Sequence, residues 1–144
     1  MKNVFITGGA GFIGSHCAVS LSKNGFTPII LDNFSNSHQS IIKKLEIITN
    51  KKITFYKIDI RDKKKLRLIF KKHSCYAVIH CAGFKAVEES IEKPISYFDN
   101  NIGSTLSLLE CMQENKVFKL IFSSSATVYD DNQSLPLRET SKTG

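Results

Sequence analysis

Residues 7 to 14 read Thr7-Gly8-Gly9-Ala10-Gly11-Phe12-Ile13-Gly14. An apolar, β-branched run from Val4 to Thr7 leads into them, and a segment with helical spacing, Phe12 to Asn24, leads out. At such a junction three glycines have separate physical tasks. Gly8 permits the tight turn, Gly11 lets the main chain approach a pyrophosphate, and Gly14 lets helix and strand pack closely. Phosphates would then rest on amide groups at the positive end of a helix. No Gly-Lys-Ser/Thr follows, which excludes a nucleoside-triphosphatase loop.

Working outward, apolar runs at Thr27 to Leu31, Ile53 to Ile58, Ala77 to His80 and Phe118 to Ser123 predict four further strands. Helical spacing predicts helices over Ser40 to Thr49, Asp62 to Lys72 and Pro94 to Asn115, with Pro94 suited to a first turn. Strict alternation of apolar strands with helices is the pattern of right-handed βαβ units, so the expected fold is α/β, a doubly wound parallel sheet. Asp32 ends the second strand at the distance where an acid meets an adenosine ribose. Its carboxylate would accept from ribose hydroxyls and repel a 2′-phosphate, which favours NAD over NADP. The structural alternative is a carboxylate that caps the following segment.

The composition narrows the function classes. The 144 residues carry a formal charge of +7, yet only Arg61, Arg67 and Arg138 are arginines and no basic stretch is interleaved with stacking aromatics. The densest run, Lys63, Lys64, Lys65, Arg67, Lys71 and Lys72, alternates with Leu66, Leu68, Ile69 and Phe70, the pattern of a solvated face over a buried one. A nucleic-acid partner is therefore not expected. Nor is a membrane, because no run approaches the ~20 apolar residues of a span and no leader pattern opens the chain. Cys17, Cys75, Cys81 and Cys111 form no Cys-x-x-Cys pair and no zinc spacing, so no metal site is expected and reduced thiols in the cytoplasm are.

Longer strings then carry a resemblance. These are TGGAGFIGSH from Thr7, ILDNFSNS from Ile30, Asp59-Ile60-Arg61, VIHCAGFKAVEES from Val78, YFDNN from Tyr97 and IFSSSATVY from Ile121. Together they resemble the UDP-glucose 4-epimerase family within the extended short-chain dehydrogenases/reductases. The resemblance implies an NAD-binding Rossmann domain over residues 1–129, incomplete, followed by a polar tail over 130–144. It implies that Phe12 and Ile13 lie against the pyrophosphate and that Asp32, Asn33, Phe34, Ser35, Asn36 and Ser37 wrap the adenosine ribose. Asp59 and Ile60 would flank the adenine. Cys81, Ala82, Gly83, Phe84 and Lys85 would pass under the cofactor bridge, and Asn100 would hydrogen-bond the strand-end loops or the cofactor.

For the chemistry, the resemblance gives Ser125 the substrate-facing role, as a relay at the 4-oxygen of a UDP-sugar. Members of the family interconvert UDP-glucose and UDP-galactose through a transient 4-keto sugar, using a tyrosinate base with a lysine four residues later. The residues four places after Tyr56, Tyr76, Tyr97 and Tyr129 are Ile60, His80, Asn101 and Gln133, so this chain holds no such pair and is expected to be inactive alone. The complete enzyme is expected to be a homodimer. Two alternatives stay open: a non-catalytic NAD-binding or regulatory protein, and a nucleotide-sugar dehydratase, although Ala126 and Thr127 stand where a dehydratase has its Asp-Glu pair. Asp130, Ser104 and Cys81 depart from the family's usual residues. Neighbouring strand residues face opposite ways, so His80 and Cys81 are not read as a catalytic pair.

Overall fold

A computed structural model describes residues 1–144 except Asp131 and Gln133, which lie in the segment expected to be a tail. Five strands alternate with helices: β1 (Asn3–Thr7), α1 (Phe12–Lys23), β2 (Thr27–Asp32), α2 (Ser40–Thr49), β3 (Thr54–Lys57), α3 (Lys63–Lys72), β4 (Cys75–His80), α4 (Val87–Glu92), α5 (Pro94–Phe98), α6 (Ser104–Glu114) and β5 (Leu120–Phe122). The strands form one parallel sheet in the order β3-β2-β1-β4-β5. Because the order reverses around β1, the loops after β1 and β4 part at the carboxyl edge, and a crevice opens between them.

Side-chain alternation along the central strands supplies both faces of the core. Phe5, Ile29, Leu31 and Val78 pack on one face with Leu66 and Phe70 of α3 and Leu108 and Met112 of α6. Ile6 and Ile30 pack on the other with Ala18 of α1 and Ile42 and Leu45 of α2. Helix α1 approaches the sheet through a stripe of small buried residues, Gly14, Ala18 and Ser22. Helix α3 opens on Asp62, whose side chain accepts from the Lys65 amide at 3.1 Å, and buries Leu66, Ile69 and Phe70. Leu68 does not join that face; it is 66% exposed.

Three expectations need correction. β3 is an edge strand with Thr54 and Lys57 exposed, rather than apolar on both faces. The helix expected from Pro94 to Asn115 is interrupted: α5 passes into a π-helical turn, Asp99–Gly103, before α6, and a short helix, α4, precedes it. β5 spans only Leu120–Phe122; Phe118, 79% exposed, and Ser123 lie outside it. Among the described residues β5 pairs with β4 alone, which leaves its other edge open with Ile121 and Phe122 exposed. After a 3-10 turn, Ala126–Val128, the chain folds back on itself. Tyr129 bridges Thr143, and the Asp130 amide donates to the Lys142 carbonyl at 3.0 Å.

Candidate functional site

A cleft of about 760 Å³ opens at the carboxyl ends of β1, β2 and β4. Its floor is the turn between β1 and α1. Gly8 has φ +65° and its amide donates to the Leu31 carbonyl at 2.9 Å. A Cβ there would lie 2.7 Å from the Ala82 nitrogen, so Gly8 is needed for contact with the loop after β4 as well as for the turn. A Cβ on Gly14 would sit 2.4 Å from the Gly8 carbonyl oxygen and 2.7 Å from the Gly9 Cα, all backbone. Gly9, which the spacing rule passes over, is also constrained, since a Cβ there would stand 2.9 Å from the Ile6 carbonyl oxygen and 2.9 Å from the Ile30 side chain. The first-turn amides of α1 have no intrahelical acceptor and open to the cleft, with Phe12 and Ile13 exposed beside them.

Asp32 is buried at the end of β2 and organises the next wall. Its Oδ2 accepts from the Ala10 amide at 2.9 Å, and its Oδ1 accepts from the Phe34 amide at 2.8 Å and the Ser37 hydroxyl at 2.9 Å. The capping alternative is thus real, and it coexists with a position on the cleft: one carboxylate ties the glycine turn to the loop after β2. Asn33, Ser35, Asn36 and Ser37 line the cleft. Phe34 does not. Its φ of 59° turns the ring away to pack edge-on against Phe55 at 6.2 Å in the core.

Beyond β3, Asp59 and Ile60 border the cleft, Ile60 with its side chain in the core. Asp59 Oδ1 accepts from the Arg61 amide and Nε, each at 3.0 Å, and Oδ2 accepts from Nη2 at 2.6 Å. These hydrogen bonds hold the Asp59 carboxyl below the usual carboxylate range. The third wall is the loop after β4, where Cys81, Ala82, Gly83, Phe84 and Lys85 all line the cleft. Burial pushes the Cys81 thiol up, and the adjacent Cys17 adds to the effect. A thiolate nucleophile is therefore disfavoured there.

Asn101, rather than the neighbouring Asn100, fixes that loop. The Asn101 Oδ1 accepts from the Phe84 amide at 2.8 Å, and its Nδ2 donates to the Phe84 carbonyl at 2.9 Å. Asn100 is buried, donates from Nδ2 to Asn101 Oδ1 at 2.9 Å and borders the cleft. The sequence offered two adjacent asparagines of the same chemistry, and no spacing rule separates them.

Behind the loop runs a buried relay that went unassigned at the level of sequence. His80 Nδ1 meets Thr7 Oγ1 at 2.5 Å and Nε2 meets Thr105 Oγ1 at 3.0 Å, while Thr105 Oγ1 donates to the Asn101 carbonyl at 2.7 Å. Since the Thr105 hydroxyl has spent its hydrogen, Nε2 must donate to it and Nδ1 must accept from Thr7. Burial lowers the His80 pKa to about 4, so the ring is neutral at neutral pH and ties β1, β4 and α6 together. Ser104 is buried and donates to the Asn101 carbonyl at 3.3 Å.

Ser123, Ser124 and Ser125 close the cleft beyond β5. The Ser125 Oγ lies 2.9 Å from Thr127 Oγ1 and accepts from the Thr127 amide at 3.3 Å, so it caps the 3-10 turn while facing the opening. Among the described residues no three His, Cys, Asp or Glu side chains cluster to hold a metal, and no helix is long and apolar enough to cross a membrane.

Comparison with known proteins places this architecture. The description "NAD dependent epimerase/dehydratase family" matches residues 4–144. The chain is 49% identical over 144 residues to the UDP-glucose 4-epimerase of Neisseria meningitidis serogroup C, covering 100% of this chain and 42% of that protein. It is 45% identical over 150 residues to that of Mus musculus, covering 100% and 43%. Among solved structures it is similar to UDP-glucose 4-epimerase from Bifidobacterium longum in complex with NAD+ and UDP, with TM-score 0.94, 45% identity and coverage of 99% and 43%. It is also similar to the enzyme from Stenotrophomonas maltophila with bound NAD and formylated UDP-arabinopyranose, with TM-score 0.93, 41% identity and coverage of 100% and 43%. The chain thus spans less than half the length of these relatives. With that likeness running through the glycine turn, the acid at the end of β2 and the whole sheet, the chain belongs to the NAD dependent epimerase/dehydratase family.

Proposed function

We propose that this chain binds NAD in the cleft at the carboxyl ends of β1, β2 and β4, and that it is the cofactor-holding part of a UDP-glucose 4-epimerase. One observation carries the reading: a glycine turn that leads into the open first-turn amides of α1 and a buried acid, Asp32, are held together by the Ala10-to-Asp32 hydrogen bond in a single concave site. The amides of Phe12, Ile13 and Gly14 would receive the pyrophosphate, while the Gly11 amide donates to the Gly8 carbonyl at 3.0 Å and holds the turn. Asp32, with Asn33, Ser35, Asn36 and Ser37, would take the adenosine ribose, and Phe34 would act through its backbone turn. Asp59 and Ile60 would border the adenine; Lys85 and Asn100 would reach the nicotinamide half. When bound, NAD supplies a hydride acceptor that returns the hydride, so the sugar is inverted without net oxidation.

Ser125 is the candidate to hold the sugar 4-oxygen; its hydroxyl already accepts from the Thr127 amide and can orient toward substrate. The base of about pKa 10 in its free state needs a neighbouring cation, and no Tyr-x-x-x-Lys occurs in these 144 residues. The 144-residue chain alone therefore binds without turnover, in a reduced, cytoplasmic setting that suits its four free cysteines. In the complete enzyme we assign the homodimer contact to an apolar stripe, Ile95, Phe98, Ile102, Leu106 and Leu109, which is 79%, 62%, 50%, 54% and 41% exposed at helical spacing.

The reading is tested by NMR titration of NAD+ into the labelled chain. Amide shifts concentrated at residues 8–14, 32–37 and 81–85 are expected. Shifts confined to other surfaces, or none at millimolar NAD+, contradict it. A non-catalytic binding protein is separated from an epimerase part by adding a complementing segment that supplies the Tyr/Lys pair, which restores UDP-sugar turnover only in the second case.

A further inference from the structure

We infer that Arg61 is a positioning residue that clasps the two lips of the cleft and thereby sets the π-helical turn that carries Asn100 and Asn101. The inference rests on the NAD reading for its functional meaning, although the clasp itself is a feature of the chain alone. Arg61 follows β3 on the adenine side. Three of its donors are spent on Asp59: the amide and Nε at 3.0 Å and Nη2 at 2.6 Å. Its remaining arm, Nη1, reaches across to the carboxylate of Asp99, 38 residues later and the first residue of the π turn. Asp99 Oδ1 in turn lies over that turn, 3.4 Å from where a Cβ on Gly103 would stand. Two residues on, Asn101 grips both backbone polar groups of Phe84 in the loop after β4. A continuous path therefore runs from the Asp59 carboxylate through one guanidinium to Asp99, the π turn, Asn101 and the loop under the cofactor bridge.

Two physical points favour positioning over general stabilisation. The Arg61 side chain is 36% exposed and that of Asp99 65% exposed, and ion pairs so placed contribute little to global stability. A π turn, however, is an unfavourable insertion that is kept mostly at functional sites and needs outside support. The fork geometry is essential: a guanidinium can engage two carboxylates at once in fixed directions, whereas an ammonium is a single point charge.

The test uses Arg61→Met, Arg61→Lys, Asp99→Asn and the Arg61→Met/Asp99→Asn double variant of the 144-residue chain, with NAD+ and AMP as calorimetric probes. Arg61→Met is expected to weaken NAD+ about tenfold, and the double variant no further, since both residues act through one contact. Asp99→Asn should weaken NAD+ while leaving AMP unchanged, because AMP needs only the Asp59 lip. Arg61→Lys should behave like Arg61→Met, and melting temperatures should stay within about 2 °C of wild type. Unchanged NAD+ affinity in Arg61→Met, additive losses in the double variant, or full affinity in Arg61→Lys would each overturn the clasp. If wild type fails to bind NAD+, the dinucleotide reading falls while the clasp is judged by hydrogen exchange. The Phe84 amide should exchange about tenfold faster in Arg61→Met and Asp99→Asn, and equal protection would overturn it.

Discussion

Replacing Gly14 by alanine is the sharpest perturbation of the glycine turn. The added Cβ would stand 2.4 Å from the Gly8 carbonyl oxygen, 2.7 Å from the Gly9 Cα and 3.0 Å from the Gly8 carbonyl carbon, and all three are backbone atoms with no rotamer to yield. Either α1 moves off the sheet, loosening the Gly14, Ala18 and Ser22 stripe, or the turn opens. Overpacking of this kind costs about 1–3 kcal/mol, and the unyielding contacts place Gly14→Ala near the top of that range. For a chain of this size each kcal/mol lowers Tm by roughly 2–4 °C, so a fall of about 6–12 °C is expected in a circular-dichroism melt. NAD+ affinity should drop at least about tenfold, because the amides that face the pyrophosphate move with the helix start. Gly25→Ala is the control. Gly25 has φ +80° but nothing within 4 Å of the new Cβ, so it meets only backbone strain of about 1 kcal/mol and leaves NAD+ binding unchanged. A Gly14→Ala protein that melts within about 2 °C of wild type and binds NAD+ normally would refute the close-packing argument.

Other perturbations follow from the same geometry. Asp32→Asn places an amide group opposite the Ala10 and Phe34 amides and the Ser37 hydroxyl, so a loss of roughly 1–3 kcal/mol in urea unfolding and a narrowed preference for NAD+ over NADP+ are expected; an unchanged midpoint would contradict the tie. His80 has its pKa lowered to about 4 by burial, below the ordinary 6.5, so the unfolded chain takes up a proton that the folded chain refuses. This term is absent above pH 6.5 and costs up to about 3 kcal/mol as pH falls toward 4. His80→Gln should flatten that part of the urea-midpoint profile, and an unaltered slope would show that the imidazole does not titrate as described. Introducing Glu at both Phe98 and Leu106, on the exposed stripe of α5 and α6, should abolish self-association in sedimentation without lowering NAD+ affinity; a wild-type chain that is monomeric at all concentrations would argue against a dimer contact there.

Much of the fold was legible because it rests on periodicity. Helix α2 spans Ser40–Thr49 as its spacing predicts, and the central strands are buried on both faces as continuous apolar runs require. The failures have physical causes. Helix α4 buries no residue, with Val87 and Ile91 exposed, so it leaves no amphipathic signal. The π turn at Asp99–Gly103 inserts one residue per turn without disturbing the surrounding apolar spacing, and a 3.6-residue template reads straight through it. That insertion also decides which asparagine grips Phe84, a choice between identical neighbours that only coordinates can make. The direction of the Phe34 ring was not legible because it follows from a positive φ, rare outside glycine, that sends the ring inward. The Thr7-His80-Thr105 relay was invisible because its members lie on strands and a helix far apart in sequence, and so was the contact of Gly9 with Ile30 of β2.

The central claim is that the glycine turn and Asp32 together form a seat for NAD. Isothermal titration of the 144-residue chain with NAD+ and, separately, NADP+ tests it most directly. One equivalent of NAD+ should bind, with NADP+ at least about tenfold weaker because its 2′-phosphate meets the Asp32 carboxylate. Equal binding of the two dinucleotides, or no heat from either, would contradict the account.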